Sequence, residues 1–285
     1  PHAGGLVTLL TGAYASPLAL DARGRTPLHA AAACGAAAAA ATLCRAARDS
    51  GDLINLLRLR DADGETALGV AEAAEHVAVA RLLLQEGAVH DEPEEGECPG
   101  PLRQAVLLGS EEQLREAAQA LPDAAVVANC TVPPQGRGRG LLHLAAAAAD
   151  LSPAGAGVVR VLLAYGANAS RADAAGETSL AVAVRTDQSS VVVMLLRSGA
   201  HVDAVDDQGS TALHGAARAG AQASAQTLVA HGASLDIVDD AGLTPLDYAR
   251  DAGHRAVAEA LRGAAAAWAD NAGLPAPAGA QPSPA

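Results

Sequence analysis

Aromatic residues are nearly absent from this sequence of 285 residues, which has no Phe, one Trp and three Tyr. Hydrophobic residues make up 50% of the chain, so it can bury a sizeable core, but that core must consist of leucine, valine and alanine. Pockets for organic cofactors are usually lined by aromatic side chains. We therefore expect closely packed helices and no cofactor.

Basic residues and cysteines are also scarce. The sequence has 19 Lys and Arg against 32 Asp and Glu, a formal net charge of -13 that repels phosphate backbones, so nucleic acid is not an expected partner. The four cysteines, Cys34, Cys44, Cys98 and Cys130, show neither a disulfide framework nor the spacing of a zinc site. We expect no metal and a reducing, intracellular location, and we interpret Cys34 and Cys44 as small core residues.

Long hydrophobic runs are missing as well. The apolar segment from Ala30 to Leu43 is mostly alanine, is interrupted by Gly35 and is shorter than the roughly 20 residues that a bilayer requires, so no membrane span is expected. The sequence begins at Pro1 without an initiator methionine, so a targeting signal could be missing. The cytoplasm is the expected compartment, with the nucleus or an organelle as alternatives.

An internal repeat is what the sequence does contain. Glycines, threonines and leucines recur at intervals of 33 residues. They are Gly176, Gly209 and Gly242; Thr178, Thr211 and Thr244; and Leu180, Leu213 and Leu246. A period of this length indicates a supersecondary unit that stacks on copies of itself.

Each unit has the pattern of two short helices and a turn. In the TPLH segment that begins at Thr26, the Thr suits an N-cap and the Pro suits the first helical position, while Gly35 suits the end of the helix. A second helix is clearest at 191–196, where apolar residues line one face. An Asp three positions before a Gly, as in Asp206 and Gly209, predicts the turn into the next unit.

These features resemble the ankyrin repeat, whose pattern is GxTPLHxAA, a helix ending in LLxxGA and a DxxG finger. Matching copies begin near Asp21, Asp61, Asp173, Asp203 and Asp236 and read GRTPLHAAA, GETALGVAE, GETSLAVAV, GSTALHGAA and GLTPLDYAR. The resemblance covers roughly residues 6 to 262. It implies an all-α ankyrin-repeat solenoid of stacked helix-turn-helix units with β-turn finger loops.

The resemblance also predicts the layout of the chain. We expect a partial or capping repeat at 1–20, a solenoid of about six to seven repeats at 21–262 with a degenerate copy near 97–134, and a disordered tail rich in alanine and proline at 263–285. The spacing of 40 residues from Thr26 to Thr66 predicts a lengthened second helix or loop around 36–50. Extra residues near 150–155 predict an inserted loop, and residues 6–13 look like half of a repeat.

Core positions follow from the repeat register. Leu196 and Leu213 are each expected to fill the space between stacked helix pairs, so truncation of either to alanine should cost about 2 to 5 kcal/mol. Met194 has the helical spacing of a core residue as well.

No catalytic constellation is apparent. His29, His143 and His214 share one repeat position, and the resemblance implies that they hydrogen-bond within and between neighbouring repeats rather than bind a metal. The sequence has no GxSxG, HExxH or GxxxxGK[ST] segment, so we do not expect an enzyme.

The resemblance implies a non-enzymatic scaffold or adaptor that binds a protein or peptide through the finger loops and the concave face of the first helices. By family analogy, the partner-binding positions flank the finger glycines and end the first helices: Arg23, Arg25, Asp63, Glu65, Ala175, Glu177, Arg185, Thr186, Asp207, Gln208, Ser210, Arg218, Asp240, Leu243 and Asp251. The fingers are mostly acidic, and Arg185 with Arg218 forms a small basic stripe further in. This arrangement predicts a partner with a basic rim and with one acid that the basic stripe can clamp. A monomer is favoured, with the oligomeric state left open.

Several alternatives remain open. The chain could be a structural subunit of a large assembly, or the targeting arm of a longer enzyme or channel. The RGRG segment at 136–140 is interpreted as a flexible finger loop rather than an RNA contact, and the acidic run at 91–97 as a solvated loop rather than a docking site for a basic peptide. Trp268 could anchor a contact from the predicted tail.

Overall fold

The computed structural model describes residues 16–74, 76–90, 98–121, 127, 130–132, 138–149 and 155–270, with side chains described as far as residue 266. The predicted half-repeat at 6–13, the acidic run at 91–97 and most of the inserted loop near 150–155 lie outside these residues. The described residues fall into two compact units. One contains the described residues up to 120 together with 130–132, and the other contains 121, 127 and the described residues from 138 onward.

Regular structure in the described residues is helical, which confirms the predicted all-α fold. Pairing of the β type is confined there to isolated bridges, such as the one between Val205 and Thr211 at the base of a finger. The helices of the first unit are α1 (Pro27–Ala33), α2 (Ala37–Ser50), α3 (Leu53–Arg58), α4 (Ala67–Ala73), α5 (Val77–Gln85), α6 (Gly100–Leu108) and α7 (Glu111–Gln119). Those of the second unit are α8 (Leu141–Ala148), α9 (Gly155–Ala164), α10 (Ser179–Arg185), α11 (Ser189–Arg197), α12 (Ala212–Ala219), α13 (Gln222–Ala230), α14 (Pro245–Asp251) and α15 (Arg255–Asp270). Among the described residues, no helix combines the length and the apolar composition that crossing a bilayer would need.

Capping residues set the ends of the first helix in a repeat, which we call the inner helix. The hydroxyl of Thr211 accepts a hydrogen bond from the backbone N–H of His214 at 3.4 Å, and the imidazole Nδ1 of His214 accepts one from the Thr211 N–H at 3.1 Å. Helix α12 then ends at Gly220, whose φ of 73° lies in the left-handed region. The start and stop signals predicted from the sequence are therefore confirmed here.

Successive repeats stack through like helices. In the second unit the inner helices α8, α10, α12 and α14 contact one another in order, and so do the second, or outer, helices α9, α11, α13 and α15. In the first unit α1 packs on α4, α2 packs on α5, and α5 contacts α6. Leu180 and Leu213, at the same position of neighbouring inner helices, are both buried in these interfaces.

Outer helix α11 buries a narrower stripe than predicted. Val191, Val192 and Leu195 have no exposed surface, whereas Met194 and Leu196 are only half-buried. The prediction that Met194 and Leu196 are core residues is therefore wrong. An outer helix packs against its neighbours along one stripe, and the residue that follows Leu195 already turns away from that stripe.

The first described repeat has the lengthened second helix that the sequence predicts. Helix α2 has 14 residues, whereas outer helices α11 and α13 have 9 each. It ends at Gly51, and the short helix α3 follows before the next finger.

The last helix contradicts part of the predicted tail. Helix α15 continues to Asp270, so residues 263–270 are helical where disorder was predicted, and Trp268 belongs to this helical segment. Alanine has the highest helix propensity, so the alanine run at 264–267 favours continuation of the helix. Residues 271–285 lie outside the described residues.

The two cysteines predicted to be core residues have different environments. Cys44 is fully buried, and burial raises the pKa of its thiol to about 11, which keeps it protonated. Cys34 is exposed at the end of α1, so its assignment to the core is wrong. The apolar run around Cys34 hid the fact that the residue lies past the last buried turn.

Candidate functional site

The first Asp of each finger belongs to the turn itself. The carboxylate of Asp206 accepts hydrogen bonds from the backbone N–H groups of Gln208 and Ser210, both at 2.9 Å. The same two bonds occur at the other fingers, with the carboxylates of Asp21, Asp61, Asp173 and Asp239. These acids therefore hold the turn of each finger together.

Neighbouring fingers of the second unit are joined through their backbones. The N–H of Asp207 donates to the carbonyl of Ala175 at 3.0 Å, and the N–H of Asp240 donates to the carbonyl of Gln208 at 3.0 Å. Gly176 is needed at this close approach, because its φ is 74° and a Cβ would lie 2.8 Å from a Cα of the next finger. The finger tips are thus held in a fixed register, one repeat apart.

Several predicted partner-binding residues lie exposed at these tips. In the second unit they are Ala175, Asp207, Gln208 and Asp240. In the first unit they are Arg23 and Asp63, and the carbonyl of Arg23 accepts a hydrogen bond from the N–H of Ala62 in the next finger at 2.9 Å. We call Asp207 and Asp240 the tip acids.

The repeated histidines bridge neighbouring repeats, as predicted. Their imidazole Nε2 atoms lie 3.1 Å from a backbone carbonyl of the next repeat: His29 from Glu65, His143 from Glu177 and His214 from Leu243. Each Nδ1 accepts a backbone N–H, so the ring proton resides on Nε2, which donates to the carbonyl. Burial lowers the pKa of His143 and keeps its ring neutral.

A chain of ion pairs lies beside the finger that begins at Asp173. The Nε of Arg139 donates to Asp173 at 2.9 Å, and the guanidinium also contacts Glu177, whose other oxygen contacts Arg185. Burial by itself raises the pKa of Asp173, but hydrogen bonds from Arg139 and from two backbone N–H groups outweigh it and hold the pKa below its ordinary value. Glu177 and Arg185 therefore largely neutralise each other.

The same ion pairs correct one prediction. The side chain of Arg139 is only 13% exposed and is fixed by two carboxylates, so the description of the RGRG segment as a flexible finger loop is wrong for this residue. Arg139 is a structural cation of the next finger. Residues 136 and 137 of the segment lie outside the described residues.

A groove of about 110 Å³ lies between inner helices α10 and α12 and the fingers that precede them. The predicted partner-binding residues that line it are Glu177, Arg185, Ser210 and Arg218. Because Arg185 is paired with Glu177, the predicted basic stripe reduces to Arg218, whose guanidinium forms no ion pair within the described part of the chain. The groove therefore has one available cation.

Small residues make this groove possible. Its floor contains Ala181, Gly215 and Ala219. Sequence reasoning did not single out these residues, although the signal was present, because Ala181 occupies the position at which His143 and His214 bridge their neighbours. Because Ala181 lacks an imidazole, it leaves a space, and a sequence search for reactive or charged side chains does not find a space.

The predicted residues of the first unit are partly engaged in their own repeats. Arg25 pairs with Asp21 at 2.9 Å. Glu65 is half-buried, and an oxygen of its carboxylate would clash with a Cβ on Gly69, which replaces the bridging histidine in that repeat. In the first unit, a carboxylate thus lies beside the residue that replaces the bridging histidine, whereas in the second unit the space beside Ala181 is open.

The remaining predicted residues of the second unit lie outside the groove. The hydroxyl of Thr186 donates to the carbonyl of Ala183 at 3.1 Å and ends helix α10. Leu243 is half-buried, and Asp251 is exposed at the end of α14. The structure therefore brings together some of the predicted positions and leaves others at separate places.

Comparison with known families agrees with this architecture. The three-copy ankyrin-repeat family model matches residues 3–94 and 201–267, and the single ankyrin-repeat model matches residues 175–207. The chain belongs to the ankyrin repeat family. Ankyrin repeats are generally modules of protein–protein interaction, and the family is typically non-enzymatic. The tip acids and both ankyrin repeats that line the groove fall within the matched residues, while a comparison with curated proteins gave no match.

Proposed function

We propose that this ankyrin repeat protein is a non-enzymatic scaffold or adaptor that binds a protein or peptide through its finger tips and the concave face of its inner helices. The observation that carries the proposal is the position of the tip acids, Asp207 and Asp240. They are exposed at equivalent places in adjacent fingers. Asp206 and Asp239, by contrast, are used within the turns.

The geometry of the tip acids favours a partner with a basic rim. Stacked repeats repeat their surface at the interaxial distance of packed helices, about 10 Å, so the two carboxylates can meet two cations of one partner. The backbone bonds between fingers hold this spacing before any partner arrives. Such preorganisation lowers the entropic cost of binding.

The experiment is affinity capture with the full chain as bait, followed by quantitative mass spectrometry. The test variant carries Asp207→Lys and Asp240→Lys. The matched control carries Glu112→Lys and Glu116→Lys, which reverse the same charge at two exposed positions of outer helix α7. We expect a partner that the parent and the control retain and that the tip variant loses; equal loss from both variants would contradict the proposal.

Rate measurements on a partner found in this way refine the proposal. Exposed rim charges act mainly on encounter and are screened by salt. Raising the ionic strength to about 0.15 M should therefore slow association more than it speeds dissociation. Equal changes in the two rate constants would exclude the tip acids as the docking rim.

A further inference from the structure

The groove between α10 and α12 lies where three other repeats place an imidazole, that of His29, His143 or His214. In the repeat that begins at Thr211, the hydroxyl of Thr211 lies 2.9 Å from the Nδ1 of His214, and Nε2 bridges to the next repeat. In the repeat that begins at Thr178, the third residue after the Thr is Ala181, which has no group to make either contact. Thr178, Ala181, Ser210 and Thr211 all line the resulting space.

Several hydrogen-bond donors around this space have no acceptor within the described part of the chain. The hydroxyl of Thr178 accepts the N–H of Ala181 at 3.3 Å and finds no acceptor for its own proton among the described residues. The hydroxyl of Ser210 likewise has no hydrogen-bond partner within the described part of the chain. Arg218 adds a guanidinium without an ion pair there.

The acids of the groove are already engaged. Glu177 contacts both Arg139 and Arg185, and Asp206 accepts two backbone N–H groups. Arg218 is the cation of the groove without an ion pair within the described part of the chain, and it lies in the same lining as Asp206, whose carboxylate keeps its charge because its donors are neutral. A ligand that accepts hydrogen bonds and carries a negative charge satisfies the hydroxyls and the guanidinium together.

We infer that this groove is a subsite for a carboxylate side chain, an aspartate or glutamate of the bound partner. The inference rests on the proposed function, because it places one anchor of that partner on the concave face. A groove of about 110 Å³ between two inner helices can take the end of one side chain. Charge-assisted hydrogen bonds from Arg218 fix the acid in place.

The test uses a small probe, glutamate blocked at both its amino and carboxyl ends, titrated into the full chain. Amide NMR shifts of Ser210 and Gly215 report binding at the groove. We expect saturable shifts with a dissociation constant of roughly 1 to 10 mM, and binding about tenfold weaker for blocked glutamine, which has the same shape without the charge. Absence of shifts, or equal binding of the two probes, would overturn the inference.

Two variants separate the role of charge from the role of space. Arg218→Gln should remove the preference for glutamate over glutamine, whereas Arg197→Gln, which removes an exposed cation from the end of outer helix α11, should preserve it. Ala181→His should fill the groove, abolish the shifts and raise the melting temperature, because the new imidazole can bridge to Ser210 as His143 bridges to Glu177.

Each outcome of this experiment bears on the inference. Probe binding that survives in a folded Ala181→His protein overturns it, because the groove is then filled. If Ala181→His unfolds the chain, the comparison of Arg218→Gln with Arg197→Gln decides by itself. If a macromolecular partner requires the tip acids but binds both groove variants as well as the parent, only this inference is wrong. If blocked glutamate binds but no such partner is found, only the proposed function is wrong.

Discussion

The repeats that begin at Thr178 and Thr211 share their architecture and differ at one chemically decisive position. Both have an outer helix of 9 residues and a buried inner-helix leucine, Leu180 in one and Leu213 in the other. The second repeat bridges to its neighbour through His214, whereas the first has Ala181 and a groove. In a repeat array, omission of a structural side chain can thus open a groove without any added group.

The largest expected effect is on the free energy of unfolding, and it tests whether the two repeats have equivalent cores. Leu180→Ala and Leu213→Ala should each lower the free energy of unfolding by about 2 to 5 kcal/mol, because both side chains fill the interface between stacked inner helices. Urea denaturation measures both values. A much smaller loss for Leu180→Ala would mean that the groove already loosens its repeat.

A control on the outer helix tests the register behind this prediction. Leu195 is fully buried and Leu196 is half-buried, although both lie in the same apolar run. Leu196→Ala should therefore cost less than Leu195→Ala. The reverse order would place the buried stripe of α11 one residue later than the structure does.

The next effect concerns the bridging position. His214→Ala should cost about 1 to 3 kcal/mol, because it removes the acceptor of the Thr211 N–H and the donor to the Leu243 carbonyl. Ala181→His should instead stabilise the chain by about 0.5 to 1.5 kcal/mol by adding such a bridge. Thermal and urea denaturation of both variants measure the difference. Destabilisation by a folded Ala181→His protein would show that the groove is not an unfilled imidazole site.

Most of the fold could be predicted from the sequence, because its signals are local. The Thr caps, the ending glycines and the finger Asp residues act over a few positions, and the caps Thr178, Thr211 and Thr244 lie where the 33-residue register predicts. The helix at 263–270 was missed because composition was given more weight than the helix propensity of an alanine run.

The site could be predicted only in part, because its properties depend on contacts between repeats. The sequence shows that the fingers are acidic, but only the hydrogen bonds separate Asp206, which is used in the turn, from Asp207, which is exposed. Arg185 and Arg218 look alike in the sequence. Their difference comes from Glu177, which pairs with Arg185 and not with Arg218.

A smaller effect is expected on the pH dependence of stability, and it depends on a bridging histidine. The ring of His143 bridges to Glu177 in its neutral form, and burial lowers its pKa below the ordinary value of 6.5. The unfolded chain therefore binds a proton at His143 more readily than the folded chain does. The contribution of the neutral His143 ring to stability is present above pH 6.5 and is lost as the pH falls below that value toward the pKa of the folded chain. The free energy of unfolding should then fall by at most about 1.4 kcal/mol per pH unit.

Measurement of unfolding free energies from about pH 7.5 to about pH 5 tests this sign. His143→Gln supplies the control, because glutamine can donate to the carbonyl but does not titrate in this range. We expect the parent to lose more stability than the variant on acidification. If the free energies of unfolding of the two proteins change in parallel with pH, titration of His143 does not contribute to the pH dependence.

The smallest effect on stability is expected at the tip acids, and it separates binding from folding within one finger. Asp207→Ala should change the free energy of unfolding by less than about 0.5 kcal/mol, since its exposed side chain supports no turn. Asp206→Ala should cost about 1 kcal/mol or more, because two backbone N–H groups lose their acceptor. Urea denaturation measures both changes. If Asp207→Ala destabilises the chain as much as Asp206→Ala, its carboxylate is part of the fold, and the tip acids can no longer be regarded as a surface reserved for a partner.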